Sequence, residues 1–157
     1  MPSATPRSTD PVLDPACATS RCELRVRFCE TDLMGIVHHG NYLSYMEAGR
    51  VDWLHKRGVT YAAWAAAGRH LPVVDASLRY RTPARFDEVL TIETSLVELR
   101  NASLRYAYRI LRGDTLVCDG ATRLACIDDT HKLQRFTEEM LASFVVGESA
   151  PGSTQLR

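Results

Sequence analysis

Between Asn41 and Lys56 the chain carries the pattern that most restricts its fold. Tyr42, Tyr45, Met46, Gly49 and Trp53 recur at steps of three and four, the spacing of one face of an α-helix. Leu43, Ala48, Val51 and Leu54 widen that stripe, so the spacing predicts a helix that is largely enclosed rather than laid on a surface. The segments around it have a period of two, the mark of half-buried strands. A single long helix read as enclosed, set among segments with the period of strands, makes the chain α+β.

The strands can be read off in order. Cys22, Leu24, Val26 and Phe28 alternate with Glu23, Arg25 and Arg27. After the helix, Gly58 supplies a stop, Thr60 a cap, and the residues from Tyr61 to Ala67 a short second helix ended by Gly68. The spacing then predicts strands over Leu71 to Tyr80, Val89 to Leu99, Leu104 to Ile110 and Thr115 to Asp128. Pro83, Asn101 and Arg112-Gly113-Asp114 fall between them. Gly120 inside the last strand marks a bulge or a close backbone approach. Thr137 caps a final helix with Glu138 and Glu139 in its first turn, and Phe136 is placed to staple against Leu141.

At 157 residues the chain has room for one domain with a real core. Residues 1–20, with four prolines among Ser, Thr and Asp, are expected to be a disordered tail. Residues 21–147 form the domain, and 148–157 a polar tail. Nineteen basic side chains balance nineteen acidic ones, so no net field recruits nucleic acid or a lipid surface. The five cysteines are odd in number and have neither C-x-x-C nor metal-ligand spacing, which fits reduced thiols in a cytoplasmic protein. No apolar run reaches the ~18 residues of a membrane span.

The chemistry concentrates in FCETDLMGIVHHGNYLSYMEAGR, residues 28–50. Asp32 sits in a turn, followed by Gly35, His38, His39 and Gly40 at the entrance to the helix. A helix start offers unpaired N–H groups and partial positive charge, where a carbonyl oxygen gaining charge can be held. A nearby carboxylate can then act on that carbonyl as base or nucleophile. Asp before Gly is equally the residue of an ordinary turn, its side chain bonded to local backbone.

T-D-x-x-G-x-V, the His pair, Y-L and the helix ending E-x-x-R resemble the acyl-CoA thioesterases of the hot-dog fold, in the 4-hydroxybenzoyl-CoA thioesterase and YbgC-like branch. The resemblance continues through RYRTPARFDEVLTIET and RNASLRYAYRI, covering roughly Arg21 to Phe136. It implies a central helix wrapped by a curved antiparallel sheet of about five strands. It also implies Asp32 as base or nucleophile, the amides near His39 and Gly40 as oxyanion site, and no metal or cofactor. His38 stands where relatives usually carry an aromatic. Glu47 matches the helix carboxylate of a second branch, though a pairing with Arg50 explains it as well.

For the carrier, relatives hold the nucleotide phosphates with a basic cluster at the turn before the Ser103 strand. Here that turn supplies only Arg100, leaving Arg81 and Arg85 as other grips on coenzyme A, or an acyl carrier protein as the carrier. Tyr42, Tyr45 and Trp64 line either an acyl pocket or plain core. The resemblance further implies a homodimer or homotetramer with sites between subunits. A non-catalytic acyl-binding protein and a hydratase are the other functions this fold admits.

Overall fold

The computed structural model describes residues 19–148. The elements are β1 (Thr19–Arg25), a 3-10 turn (Phe28–Glu30), α1 (Asn41–His55), α2 (Tyr61–Ala66), β2 (Val73–Tyr80), β3 (Val89–Leu99), β4 (Ser103–Arg112), β5 (Thr115–Ala125) and α3 (Glu138–Val145). The five strands form one antiparallel sheet in the order β1-β3-β4-β5-β2, with α1 against its inner face. This is the hot-dog arrangement that the resemblance implies. The expected tails at 1–18 and 149–157 lie outside the described residues, while β1 takes up Thr19 and Ser20.

Packing of α1 on the sheet is tight because two glycines allow it. A Cβ on Gly49 would stand 2.5 Å from Thr94 Oγ1 and 2.7 Å from an Ile92 methyl. One on Gly120 would stand 2.4 Å from the Ser77 carbonyl and 2.9 Å from the Met46 methyl, so Gly120 marks a close approach. Around these contacts Trp53, Met46, Tyr106, Tyr108, Leu90, Ile92 and Phe144 are closed off from solvent. Truncating a core aromatic such as Trp53 to Ala removes about 3–5 kcal/mol.

Four expectations need correction. The helix is covered on one side only: Tyr42, Tyr45, Met46, Gly49, Trp53 and Leu54 are buried, while Leu43 and Ala48 are exposed and Val51 is half-buried. A five-stranded sheet curls round one face of a helix and cannot close over both. Phe28 does not continue the alternation inward. β1 ends at Arg25, and the 3-10 turn swings Phe28 out to 76% exposure, where it meets Phe86 edge-on. β2 begins at Val73 and β5 ends at Ala125, so both are shorter than expected. Thr60 sits at the start of α2 without a side-chain cap bond, whereas Thr137 does accept from the Met140 N–H. Phe136 lies edge-on to Phe144.

The two ends of the sheet separate two sets of residues. At one end lie Arg25, Val89, Arg112, Thr115 and Tyr80, together with the residues around Asp32. The β3–β4 turn and the start of β2 lie at the other, where Cys126 N–H bonds the Ala102 carbonyl. β3 alone spans about 30 Å between them at roughly 3.3 Å per residue.

Candidate active site

Residues 30–38 double back on themselves. His38 N–H bonds the Glu30 carbonyl, Thr31 bridges Val37, and Asp32 N–H bonds the Ile36 carbonyl at 3.0 Å. Gly35 closes the turn at φ +72, a conformation that favours glycine, with its N–H on the Asp32 carbonyl at 2.9 Å. Val37 N–H bonds Ala84, which ties this hairpin to the segment leaving β2.

The base of the hairpin is held by Glu30, which sequence reasoning missed. Its side chain is almost wholly buried and accepts from the Arg27 N–H and the Tyr45 hydroxyl at 2.8 Å each, and from the Arg27 guanidinium at 3.0 Å. Burial raises its pKa, but these donors more than offset that, and the net direction is down. Burial and the bond to Glu30 push the Tyr45 hydroxyl upward. Asn41 Nδ2 also bonds the Glu30 carbonyl at 2.8 Å, so the hairpin is fastened to the first turn of α1. Strand parity gave no signal for it, because the 3-10 turn after β1 turns Phe28 outward and Glu30 inward, and a buried charge of this kind is held by its partners.

Asp32 is half-buried. Its Oδ1 accepts from the Met34 N–H at 2.8 Å, and Oδ2 has no hydrogen bond among the described residues. The helix entrance begins a few residues on. The His39 N–H also has no hydrogen-bond acceptor among the described residues, whereas the Gly40 N–H donates to His38 Nδ1 at 3.2 Å. Tyr80, 54% exposed and not anticipated from sequence, donates its hydroxyl to the His39 carbonyl at 3.2 Å. Tyr42 is buried between Tyr45 and Tyr80, while Tyr80 is exposed.

The expected carrier residues are divided. Arg85 belongs to the Asp32 end, its guanidinium 3.5 Å from the Gly35 carbonyl. Arg81 holds Asp119 at 2.7 Å. Arg100 is paired with Glu98, and with Ser103 lines a cavity at the far end of the sheet, so one chain does not bring them to Asp32. Glu47 is exposed and reaches Arg50 at 3.5 Å, and Trp64 is core against Phe144. Among the described residues no group of three His, Cys, Asp or Glu side chains is arranged to hold a metal ion. No described helix is long and apolar enough to cross a membrane.

The sheet curled round one helix and the comparisons with known proteins together define a thioester hydrolase of the hot-dog fold. The family model of the Thioesterase-like superfamily matches residues 26–144, and the chain belongs to that family, among its YbgC-like acyl-CoA thioesterases. It is 29% identical over 109 residues to the acyl-CoA thioester hydrolase YbgC of Escherichia coli, covering 69% of this chain and 81% of that protein. Among solved structures, hypothetical protein TT1821 of Thermus thermophilus is 39% identical with a TM-score of 0.77, over 80% of this chain and 95% of that one. The DHNA-CoA thioesterase of Staphylococcus aureus is 33% identical with a TM-score of 0.73, over 74% and 80%.

Proposed function

We propose that this chain hydrolyses acyl-CoA thioesters with Asp32 as base or nucleophile and the His39 N–H as the principal donor to the carbonyl oxygen. The observation that carries the reading is the half-filled Asp32 carboxylate, with one oxygen fixed by the Met34 N–H and the other without a partner among the described residues. In the nucleophilic route Oδ2 adds to the thioester carbon, the C–S bond breaks, coenzyme A leaves as thiolate, and water hydrolyses the resulting anhydride. In the base route Asp32 takes a proton from water as the water oxygen adds, and the departing thiolate recovers that proton. Both routes pass through an oxyanion that the His39 N–H, and the Gly40 N–H second to it, would stabilise. Phe28, Leu33, Met34 and Phe86, all exposed beside the turn, supply an apolar rim for the acyl group.

A pair of chains completes the site, since Arg100 and Ser103 reach Asp32 only from a neighbouring copy. One observation favours a second carrier. Arg81 and Arg100 are already engaged by Asp119 and Glu98, which leaves less cationic surface for the phosphates of coenzyme A and suits an acyl carrier protein. The test is steady-state hydrolysis of straight-chain, branched and aromatic acyl thioesters, each on coenzyme A and on acyl carrier protein, by the wild type and Asp32→Asn. Turnover that disappears in the variant, with assembly unchanged, supports hydrolysis. Tight binding of thioester without turnover in the wild type overturns it in favour of an acyl-binding protein.

A further inference from the structure

β2 is an edge strand exposed at nearly every residue, and its sequence complements itself. If a second copy is laid antiparallel with Ser77 on the two-fold axis, Asp75 stands across from Arg79, within the stretch of β2 that follows its bulge at Val74. Neither Asp75 nor Arg79 makes an ion pair among the described residues. The neighbouring alignment would face Asp75 with Arg81, which already holds Asp119. A strand edge of this length left open would otherwise invite indiscriminate pairing.

The alignment carries residues 70–74 of each copy towards residues 80–84 of the other, where Tyr80 is bonded to the His39 carbonyl and Ala84 accepts from the Val37 N–H. His70 continues the edge, because its N–H and carbonyl exchange 2.9 Å hydrogen bonds with Ile127. Its Nε2 lies 2.7 Å from Asp129 Oδ1. A carboxylate only accepts, so Nε2 carries a proton, and in the neutral ring Nδ1 is an acceptor. With Tyr61, Pro72, Ile127 and His131 the pair lines a cavity of about 370 Å3.

We propose that the His70–Asp129 pair acts in trans, as a substrate-binding element of the neighbouring copy's site. The partner's His70 accepts a hydrogen bond from an O–H of the acyl group or an N–H of the pantetheine arm. Asp129 is a positioning residue that fixes the ring. This inference rests on the thioesterase reading and adds a specific residue to it.

The test is subunit mixing. Asp32→Asn and His70→Ala chains are each prepared, checked for native assembly by sedimentation, then denatured together in equal amounts and refolded. If Asp32 and His70 of one site come from different chains, a mixed pair holds one intact and one doubly altered site. The mixture then recovers about one quarter of the wild-type rate, because half of the pairs are mixed. Recovery no greater than the sum of the parents overturns the proposal. Alone, His70→Ala and Asp129→Asn should each lower kcat/KM about tenfold, the effect of one lost hydrogen bond, and His70→Gln should retain more. A loss confined to hydroxylated acyl groups identifies the acyl O–H as the donor, and a uniform loss identifies the arm. Full activity of His70→Ala overturns the proposal while leaving the hydrolase reading intact; full activity of Asp32→Asn overturns the latter.

Discussion

Two aspartates in this molecule open the same turn and differ in what is done with the carboxylate. At Asp32 the residue's N–H bonds the carbonyl four on, the N–H three on bonds its carbonyl, and its Oδ1 takes the N–H two on. At Asp128 all three bonds recur, with Lys132, His131 and Thr130. Flanking bridges match as well, Thr31 with Val37 and Ile127 with Leu133, and in each turn the third residue has positive φ, Gly35 at 72 and His131 at 64. Around Asp128, however, the Thr130 hydroxyl, the Lys132 N–H and the Gln134 amide fill the remaining positions. Those donors, the Thr130 hydroxyl foremost, hold the Asp128 carboxyl down to about 2. Met34 and His38 occupy the positions of Thr130 and Gln134 in the first turn, and neither side chain donates to Asp32 among the described residues. A saturated carboxylate is a fastener, and the same turn with three donors withheld leaves the oxygen that the proposed hydrolysis uses.

The largest expected effect breaks the pair at the member proposed to be catalytic. Asp32→Asn should lower kcat by roughly 10²–10⁴, the span of a positioned acid–base group, read by thioester turnover. Next, His39→Pro deletes the N–H without a donor to replace it and should cost about 2.7–4 kcal/mol of transition-state stabilisation, whereas His39→Ala keeps the N–H and should cost less. Comparing the two rates decides whether backbone or imidazole matters. Met34→Thr makes the first turn resemble the second. A hydroxyl on Oδ1 should reduce kcat severalfold and move the acid limb of the pH–rate profile to lower pH, and an unmoved limb would sever the comparison.

The saturated turn should show itself in stability instead. Because the Asp128 carboxyl is depressed in the folded state, its stabilisation is present above its unfolded value of 3.8 and fades as pH falls towards about 2. Asp128→Asn should therefore lower the melting temperature at neutral pH, with the difference from wild type narrowing below pH 3.8 and closing as the pH falls to about 2. The smallest effect is at His131, where glycine relieves a left-handed backbone. His131→Gly should raise stability by about 0.5–1 kcal/mol in denaturant titrations.

These two turns also show what a sequence discloses. Asp32 was visible because a glycine stands three residues later and advertises the positive φ. Its twin was invisible because His131 takes that position, and β5 was extended through Asp128 on the strength of its period-two pattern. The strands and α1 were readable since burial writes its period into the chain. The side of α1 left bare was not, for that depends on how far a five-stranded sheet can curl. Neither was the division of Arg85 from Arg100 and Ser103, because strand order decides which turns share an end of the sheet.

Strand order has a temporal side. β2 pairs in the sheet with β5, the last strand to be made. On the ribosome, Val73–Tyr80 emerges and waits while the chain up to Ala125 is synthesised, a delay of several seconds at roughly 5–20 residues per second. Throughout that interval the nascent strand lacks its intramolecular neighbour, and the nearest complementary sequence is its own duplicate on an adjacent polysome chain.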